Sequence, residues 1–548
     1  MKWIAAVQGL TLLVLFQVDA LRVSSLLTKD LFSFPRSSTS CHNNMCRQQN
    51  DNGDKSKHKD QHPSTQLIQP LILGGGLAGV ATALALQRLG PDVVGDIQLW
   101  EASSEAAFYD SCAGAGAQLG PNGLRALKAI GDVIGSDTQD NDLYQKVRAA
   151  GTALEGNVLL LPHGSMVIPD TAQEDTGLPQ VFVRWGILRQ LILNDLLSGS
   201  SDEASVHIHT NSGRNVAGYR HYTDEHGVPR IQLVDTTGDD INHAPCNLLI
   251  GAEGVSSVLR YLVNTHQTIV PEGTTLTDAG RLHLQATGRV NYKAIVSRSL
   301  SEYTLPGSDE SDDNRFRPNH TYGWFAPSGG VACFCGPAGA GHSYWAVSVA
   351  EDTHNNDKAN NPKEALLSLL HDLGSDDDTS SGCPPYMLDL IADTDATRLR
   401  VTPSEETTGV GPSLVADDVP VVLVGDSAHA MSLSYGQNSN LALEDAAVLA
   451  FCLQKALRDI SRDGTSAADT ASSVQQALTE YSALRIARCQ EMQRRSDERA
   501  RKAMKGEQAE DVTKWIFQWR APGDDVETDD DKELSRETEV PEPIASAA

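Results

Sequence analysis

The sequence predicts an α/β fold: a Rossmann-like parallel sheet, a mostly antiparallel second sheet and a C-terminal helical segment. Three observations predict it. A Gly-rich turn near residue 74 joins a short apolar run to an Ala/Leu-rich helix. Apolar and polar residues alternate between 320 and 347. Apolar side chains recur at helical spacing between 474 and 505. The 548 residues allow roughly two to four domains. An apolar content of 40% with 45 glycines is ordinary for a globular chain, and excludes wholly disordered, collagenous and coiled-coil proteins. The net charge of −28 repels phosphate backbones, so no nucleic-acid partner is expected. Nine cysteines without regular spacing do not describe a disulfide framework.

Residues 1–20 read as a signal peptide. Lys2 precedes an apolar stretch from Ile4 to Val18, and Val18-Asp19-Ala20 supplies small residues for cleavage. The stretch is short for a span, and Gln8 and Gln17 interrupt it, so no stable membrane span is expected in the mature protein. Residues 21–66 are Ser-rich and basic before Gln49. Two readings stay open: a transit segment completing a bipartite plastid address, or the disordered linker of a secreted protein. Both place the chain on the secretory route. Asn319-His320-Thr321 is a sequon that decides little. Residues 521–548 form an acidic tail; from 523 on they hold ten acids and two bases.

The folded part begins near Leu67. The run 67–73 suits a buried parallel strand, with Pro70 a blemish. It enters Gly74-Gly75-Gly76-Leu77-Ala78-Gly79 and then the helix Val80 to Leu89. Gly74 permits the tight turn, Gly76 lets the backbone approach a pyrophosphate, and Gly79 lets the helix pack on the sheet. The pyrophosphate would meet free N–H groups at a helix N-terminus. A second strand, 96–100, runs into Glu101, where a carboxylate can accept from a ribose diol. This element predicts dinucleotide binding without separating FAD from NAD.

Two later apolar runs end in further motifs. Cys246 to Ile250 leads into Gly251-Ala252-Glu253-Gly254-Val255-Ser256-Ser257-Val258-Leu259-Arg260. Val419 to Val424 leads into Gly425-Asp426-Ser427-Ala428-His429, then Gly436-Gln437-Asn438-Ser439-Asn440 and a helix start at Leu441. With these three motifs in this order, residues 67–505 resemble the class A FAD-dependent aromatic hydroxylases, which include hydroxybenzoate, salicylate and kynurenine hydroxylases and zeaxanthin epoxidase.

The resemblance implies FAD as cofactor and NAD(P)H as a transient co-substrate. It implies that Glu101 holds the adenosine ribose, Asp426 the ribityl chain, and the 436–440 turn the flavin ring. Arg184, before a leucine-rich helix, matches a family arginine near the cofactor. Gly251, Glu253 and Arg260 match the motif tied to FAD and nicotinamide. The implied domains are an FAD-binding part at 67–269 and 406–520 and a substrate domain at 270–405. The implied reaction is hydroxylation or epoxidation of a small aromatic or unsaturated substrate by O2 through a flavin C4a-hydroperoxide, with no protein residue assigned as catalytic. An FAD-dependent reductase or dehydrogenase on the same fold, or a non-catalytic FAD-binding protein, are the alternatives.

Four departures stand out: Glu253 for aspartate, Ser427 for alanine, Leu433 for proline and Asn438 for glycine. At 438, Asn is expected to tolerate positive φ. His429 is expected to pack or hydrogen-bond behind the cofactor. Cys333 and Cys335 read as apolar fillers. Tyr322, Trp324, Phe325, Tyr344 and Trp345 read as sheet core, with some rings facing a planar substrate. Arg485, Arg488, Arg494, Arg495, Arg499 and Arg501 read as an exposed face paired with acids. No metal-site pattern is present.

Overall fold

The computed structural model describes residues 68–131, 143–161, 164–199, 204–213, 215–225, 227–241, 246–303, 316–326, 330–351, 361–373, 382–431, 435–458, 467–504, 510 and 512–522. The expected signal peptide, the 21–66 segment, Leu433 and the tail beyond 522 lie outside them. Ala521, placed in that tail by sequence, is buried.

Five strands form an all-parallel sheet in the order Val421–Leu423, Leu248–Gly251, Pro70–Leu73, Ile97–Glu101, Val206–Thr210. Every residue of Pro70–Leu73 and Leu248–Gly251 is buried, as continuous apolar runs covered on both faces must be. Pro70 is tolerated as the first residue of its strand. Strand order reverses at Pro70–Leu73, so the three glycine motifs follow three adjacent strands at a topological switch point.

The Leu77–Gln87 helix is buried along almost its whole surface, because it packs against both the Trp185–Leu197 and Asn438–Leu457 helices. Asn438–Leu457 is in turn covered by the long Ala467–Met504 helix, which explains its apolar content all round.

The second sheet has seven strands, ordered Arg400–Thr407, Leu284–Val296, Ser343–Ala350, Val331–Pro337, His320–Phe325, Gly156–Leu161, Gly164–Pro169. It is antiparallel except where His320–Phe325 pairs parallel with Gly156–Leu161. The sheet therefore extends outside 270–405: a hairpin from 156–169 completes its edge. On one face Tyr292, Tyr322, Trp324, Cys333, Cys335 and Trp345 build a core against the Pro362–Asp372 and Pro385–Ala392 helices. Trp345 is wholly buried, and its indole donates to Thr394 Oγ1 at 2.8 Å. Cys333 and Cys335 are free thiols in this core, and burial pushes the Cys335 thiol up. The alternate residues Ile295, Phe334 and Tyr344 point the other way and pack with Phe182 of the Val181–Arg184 strand. A small sheet of Gly116–Leu119, Val181–Arg184 and Thr152–Ala153 joins the two large ones. Among the described residues no helix is long and apolar enough to cross a membrane.

Candidate cofactor site

The carboxyl ends of the three adjacent strands make one cradle. Gly74 has φ +107°, and a Cβ there would lie 2.1 Å from the Ala252 carbonyl oxygen. A Cβ on Gly79 would lie 1.9 Å from the Gly74 carbonyl oxygen. These two glycines are dictated by packing inside the protein. Gly76 differs: no atom stands within 4 Å of its Cβ position. It faces open space at the N-terminus of the Leu77–Gln87 helix, where an anion is favoured.

The Glu101 carboxylate accepts from Gly75 N–H at 2.8 Å and Ser103 N–H at 2.6 Å, which fixes it beside the turn. Beneath it lies Arg189, a residue that the motifs do not mark. It donates to the Phe108 carbonyl and stands 5.0 Å from the Phe108 and Trp185 ring centres. Burial lowers its pKa, with Glu101 and Asp110 acting against that. Its sequence signal was a cation beside the leucines and isoleucines of the Trp185–Leu197 helix. Arg184 ends the strand before this helix. Its Nη1 is 3.3 Å from His342 Nε2, in the turn before the Ser343–Ala350 strand, and its Nε is buried with no partner.

The second motif is tied up internally. Glu253 accepts from Ser257 Oγ at 2.7 Å and Leu259 N–H at 3.1 Å, so one oxygen holds the capping Ser257 and the other takes an N–H of the first turn of the Val258–Thr265 helix. Burial pushes its carboxyl up, and those bonds oppose the shift. Arg260 donates to the carbonyls of Val255, Gly280 and Asp426, bracing this motif against the third. Gly251 packs against Glu253 and Leu423, while Gly254, at φ +80°, has open space where a Cβ would stand.

In the third motif Gly425 has φ +63°, and a Cβ there would lie 2.7 Å from the Ala78 Cβ. Its N–H donates to Asp445 Oδ2 at 2.6 Å. Ser427, in the alanine position, donates to the Gly251 and Val424 carbonyls and so ties two strand ends together. Burial pushes the Asp426 carboxyl up; His429, Asn438, Lys293 and Arg260 act in the opposite sense. Gly436 takes φ +62°. Asn438 does not need positive φ, contrary to expectation: it opens the Asn438–Leu457 helix, and its Nδ2 donates to Asp426 Oδ1 at 3.2 Å. Ser439 is half-buried in the same first turn. Gln437 accepts from Asn122 Nδ2 at 2.9 Å, and Asn440 accepts from Gly120 N–H at 2.9 Å. Asn440 of the motif and Asn122, which the motifs left unmarked, lock the turn to the Pro121–Gly131 helix.

The arginines of the long helix are not all exposed. Arg485 is buried between Glu444 (2.7 Å) and Asp445 (2.6 Å), and Arg488 reaches Glu444 at 3.1 Å. Arg494 and Arg495 pair with Glu491 as expected. Between the Val181–Arg184 strand and the seven-stranded sheet, a cavity of about 360 Å³ is lined by Gly114, Arg184, Ile295, His342 and Arg398, among others.

An open Gly76, a capturing Glu101 and a half-buried Asp426 along one edge fit an extended dinucleotide. No family profile matches the chain. It is 27% identical over 252 residues to kynurenine 3-monooxygenase of Neurospora crassa, covering 44% of this chain and 42% of that protein. It is 26% identical over 395 residues to zeaxanthin epoxidase of Spinacia oleracea, covering 71% and 48%. With 3-amino-4-hydroxybenzoate 2-monooxygenase of Streptomyces cremeus it shares 25% identity over 436 residues, covering 78% and 86%. The chain resembles the class A flavoprotein hydroxylases. It spans about half the length of the first curated relatives it matches, at 42%, 48% and 46%. The fold agrees with solved structures of proteins complexed with FAD. Klebsiella pneumoniae HpxO complexed with FAD and uric acid has a TM-score of 0.54 at 19% identity, covering 82% of this chain and 91% of that one. CtdE with FAD and substrate gives 0.57 at 17%, covering 83% and 96%.

Proposed function

We propose that this chain is an FAD-dependent monooxygenase, using NAD(P)H and O2 to hydroxylate or epoxidise a small aromatic or unsaturated substrate. The observation that carries this reading is the cradle: three parallel strands present their glycine turns along one edge, and a second sheet with an aromatic face stands over it. Bound FAD would supply hydride acceptance and oxygen activation.

The chain's own residues do the rest. Gly76 and the first turn of Leu77–Gln87 hold the pyrophosphate. Glu101, already fixed by two N–H donors, keeps lone pairs for a ribose diol. Asp426 accepts from the ribityl chain. Glu253 and Arg260 hold the second motif rigid behind it, and Arg184 lies at the mouth between the domains. Ile295, Phe334 and Tyr344, backed by the buried Phe182, exclude water and offer flat apolar surface to a planar substrate. A nicotinamide would visit without a second glycine-rich motif of its own.

The test is to purify the chain, measure FAD per chain, and follow NADH or NADPH and O2 consumption with a panel of aromatic and unsaturated compounds. About one FAD per chain and oxygen incorporated into a product are expected. Coenzyme oxidation without oxygen incorporation would make it a reductase. A folded protein that stays colourless with added FAD would overturn the cofactor as well.

A further inference from the structure

Asn438 carries a buried polar atom without a partner. Its Nδ2 donates to Asp426 Oδ1 at 3.2 Å and to the Met431 carbonyl at 3.1 Å. Its Oδ1 is buried and accepts no hydrogen bond. The amide cannot be reversed, because a flip would set Oδ1 against two acceptors and strand both N–H groups. The two acceptors therefore lock the direction of Oδ1. Buried acceptors left unpaired are uncommon in folded proteins, and one held in a single orientation marks a place where a donor belongs.

The donor's chemistry follows from the neighbours. Nδ2 ties the amide to Asp426, so Oδ1 lies within one amide's width of that carboxylate. A second carboxylate here would be repelled by Asp426, whose own charge burial already disfavours. A neutral amide offers an acceptor without that charge. Two acceptors side by side match successive hydroxyls of a polyol.

We propose that Asn438 Oδ1 is a second ribityl acceptor beside Asp426, taking a hydrogen bond from a hydroxyl of bound FAD. The inference rests on the cofactor reading above. The class A motif has glycine at this position and can make no such bond, so the contact belongs to this chain's own departure. Asn438 also orients Asp426, which makes it a binding and a positioning residue at once.

The experiment titrates the full-length apoprotein with FAD and with three FAD analogues, each lacking one ribityl hydroxyl. Binding is read by flavin fluorescence. For wild type, at least two analogues should bind tenfold or more weakly, one for each acceptor. Asn438→Ala should bind FAD at least tenfold more weakly. In that variant one analogue's deficit should shrink to within twofold, while the deficit of the Asp426-bound hydroxyl persists. Asn438→Gly, the residue of the family motif, should behave in the same way and guards against a folding defect in the first variant. The proposal is overturned if wild type does not discriminate among the analogues, if either variant binds FAD within twofold of wild type, or if every deficit survives substitution. Absence of FAD binding by wild type would remove the cofactor reading and this contact together, whereas normal FAD binding with unchanged deficits removes only the contact.

Discussion

Arg485 Nε lies 2.6 Å from Asp445 Oδ1, and both side chains are buried. The other oxygen of the same carboxylate accepts Gly425 N–H at 2.6 Å and faces His429 Nε2 at 2.7 Å. One carboxylate thus links the long C-terminal helix to the turn that carries Asp426. Burial penalises the charge on Asp445, but His429 and Arg485 hold its carboxyl below the usual range.

Arg485→Met should therefore unfold far more easily than wild type. It leaves Glu444 and Asp445 buried with less compensation, a loss of about 3–5 kcal/mol for a broken buried pair. Chemical denaturation measures it. Arg485→Lys should recover only part, since one ammonium cannot serve two carboxylates with a planar fork. A loss under 1 kcal/mol for the Met variant would mean that the network is dispensable.

The His429–Asp445 pair makes stability depend on pH. Burial opposes a charge on His429, yet Asp445 raises its pKa well above the ordinary value. A raised folded pKa gives stability that is full below the unfolded value near 6.5 and is lost as pH climbs towards the folded one. Wild type should lose up to about 1.4 kcal/mol per pH unit from this group above roughly pH 6.5. His429→Gln should lack that slope. For Asp445 and Glu444 the sign reverses: their folded values are lowered, so their contribution is present above about pH 4 and fades below it. Denaturation curves from pH 5 to 9 on both proteins would decide; parallel profiles count against a charged His429.

Two glycines of the first turn should fail differently. Gly79→Ala drives a methyl into the Gly74 carbonyl and should destabilise the fold itself. Gly76→Ala meets nothing in the protein, so its melting temperature should stay within a degree or two of wild type for the apoprotein. Its FAD affinity should fall at least tenfold, about 1.4 kcal/mol, because the methyl occupies the pyrophosphate's place. Equal effects on folding and binding for both variants would refute the division between packing glycine and ligand glycine.

Asp426→Ala should weaken FAD binding by about 1.5–3 kcal/mol, the range for a hydrogen bond to a charged group. Fluorescence titration of the apoprotein gives the number directly. An unchanged dissociation constant would remove Asp426 from the cofactor's ligands.

Much of this was legible in the sequence because it is local. The Gly74–Gly79 turn, its flanking strand and helix, and the acid at 101 are consecutive and carry their own periodicity. The aromatic alternation of 320–347 announced antiparallel strands with a ring-rich core, and the structure divides those rings between a core face with Tyr322, Trp324 and Trp345 and an opposite face with Tyr344. What stayed hidden depends on distant pairing. Gly156–Leu161 joins the second sheet only by lying parallel to His320–Phe325, which no local pattern encodes. Arg189 looks like a stray charge until Phe108 and Trp185 surround it. Arg485 reads as surface by composition, and only the packing of two helices puts it inside. Asn438 was expected to need the dihedral freedom of the glycine it replaces, but the turn spends that freedom at Gly436.

The parallel sheet is assembled from pieces made far apart in time. Its central strand, Pro70–Leu73, emerges from the ribosome long before its neighbour Leu248–Gly251, and Val421–Leu423 comes later still. The Gly120–Asn440 bond joins residues 320 positions apart. Until the last of these segments is synthesised, the growing chain carries an unpaired apolar strand edge and an unfinished cradle. Topology of this kind folds slowly and exposes sticky intermediates. A cradle whose third strand and closing helix come last is complete only after translation has passed Arg485.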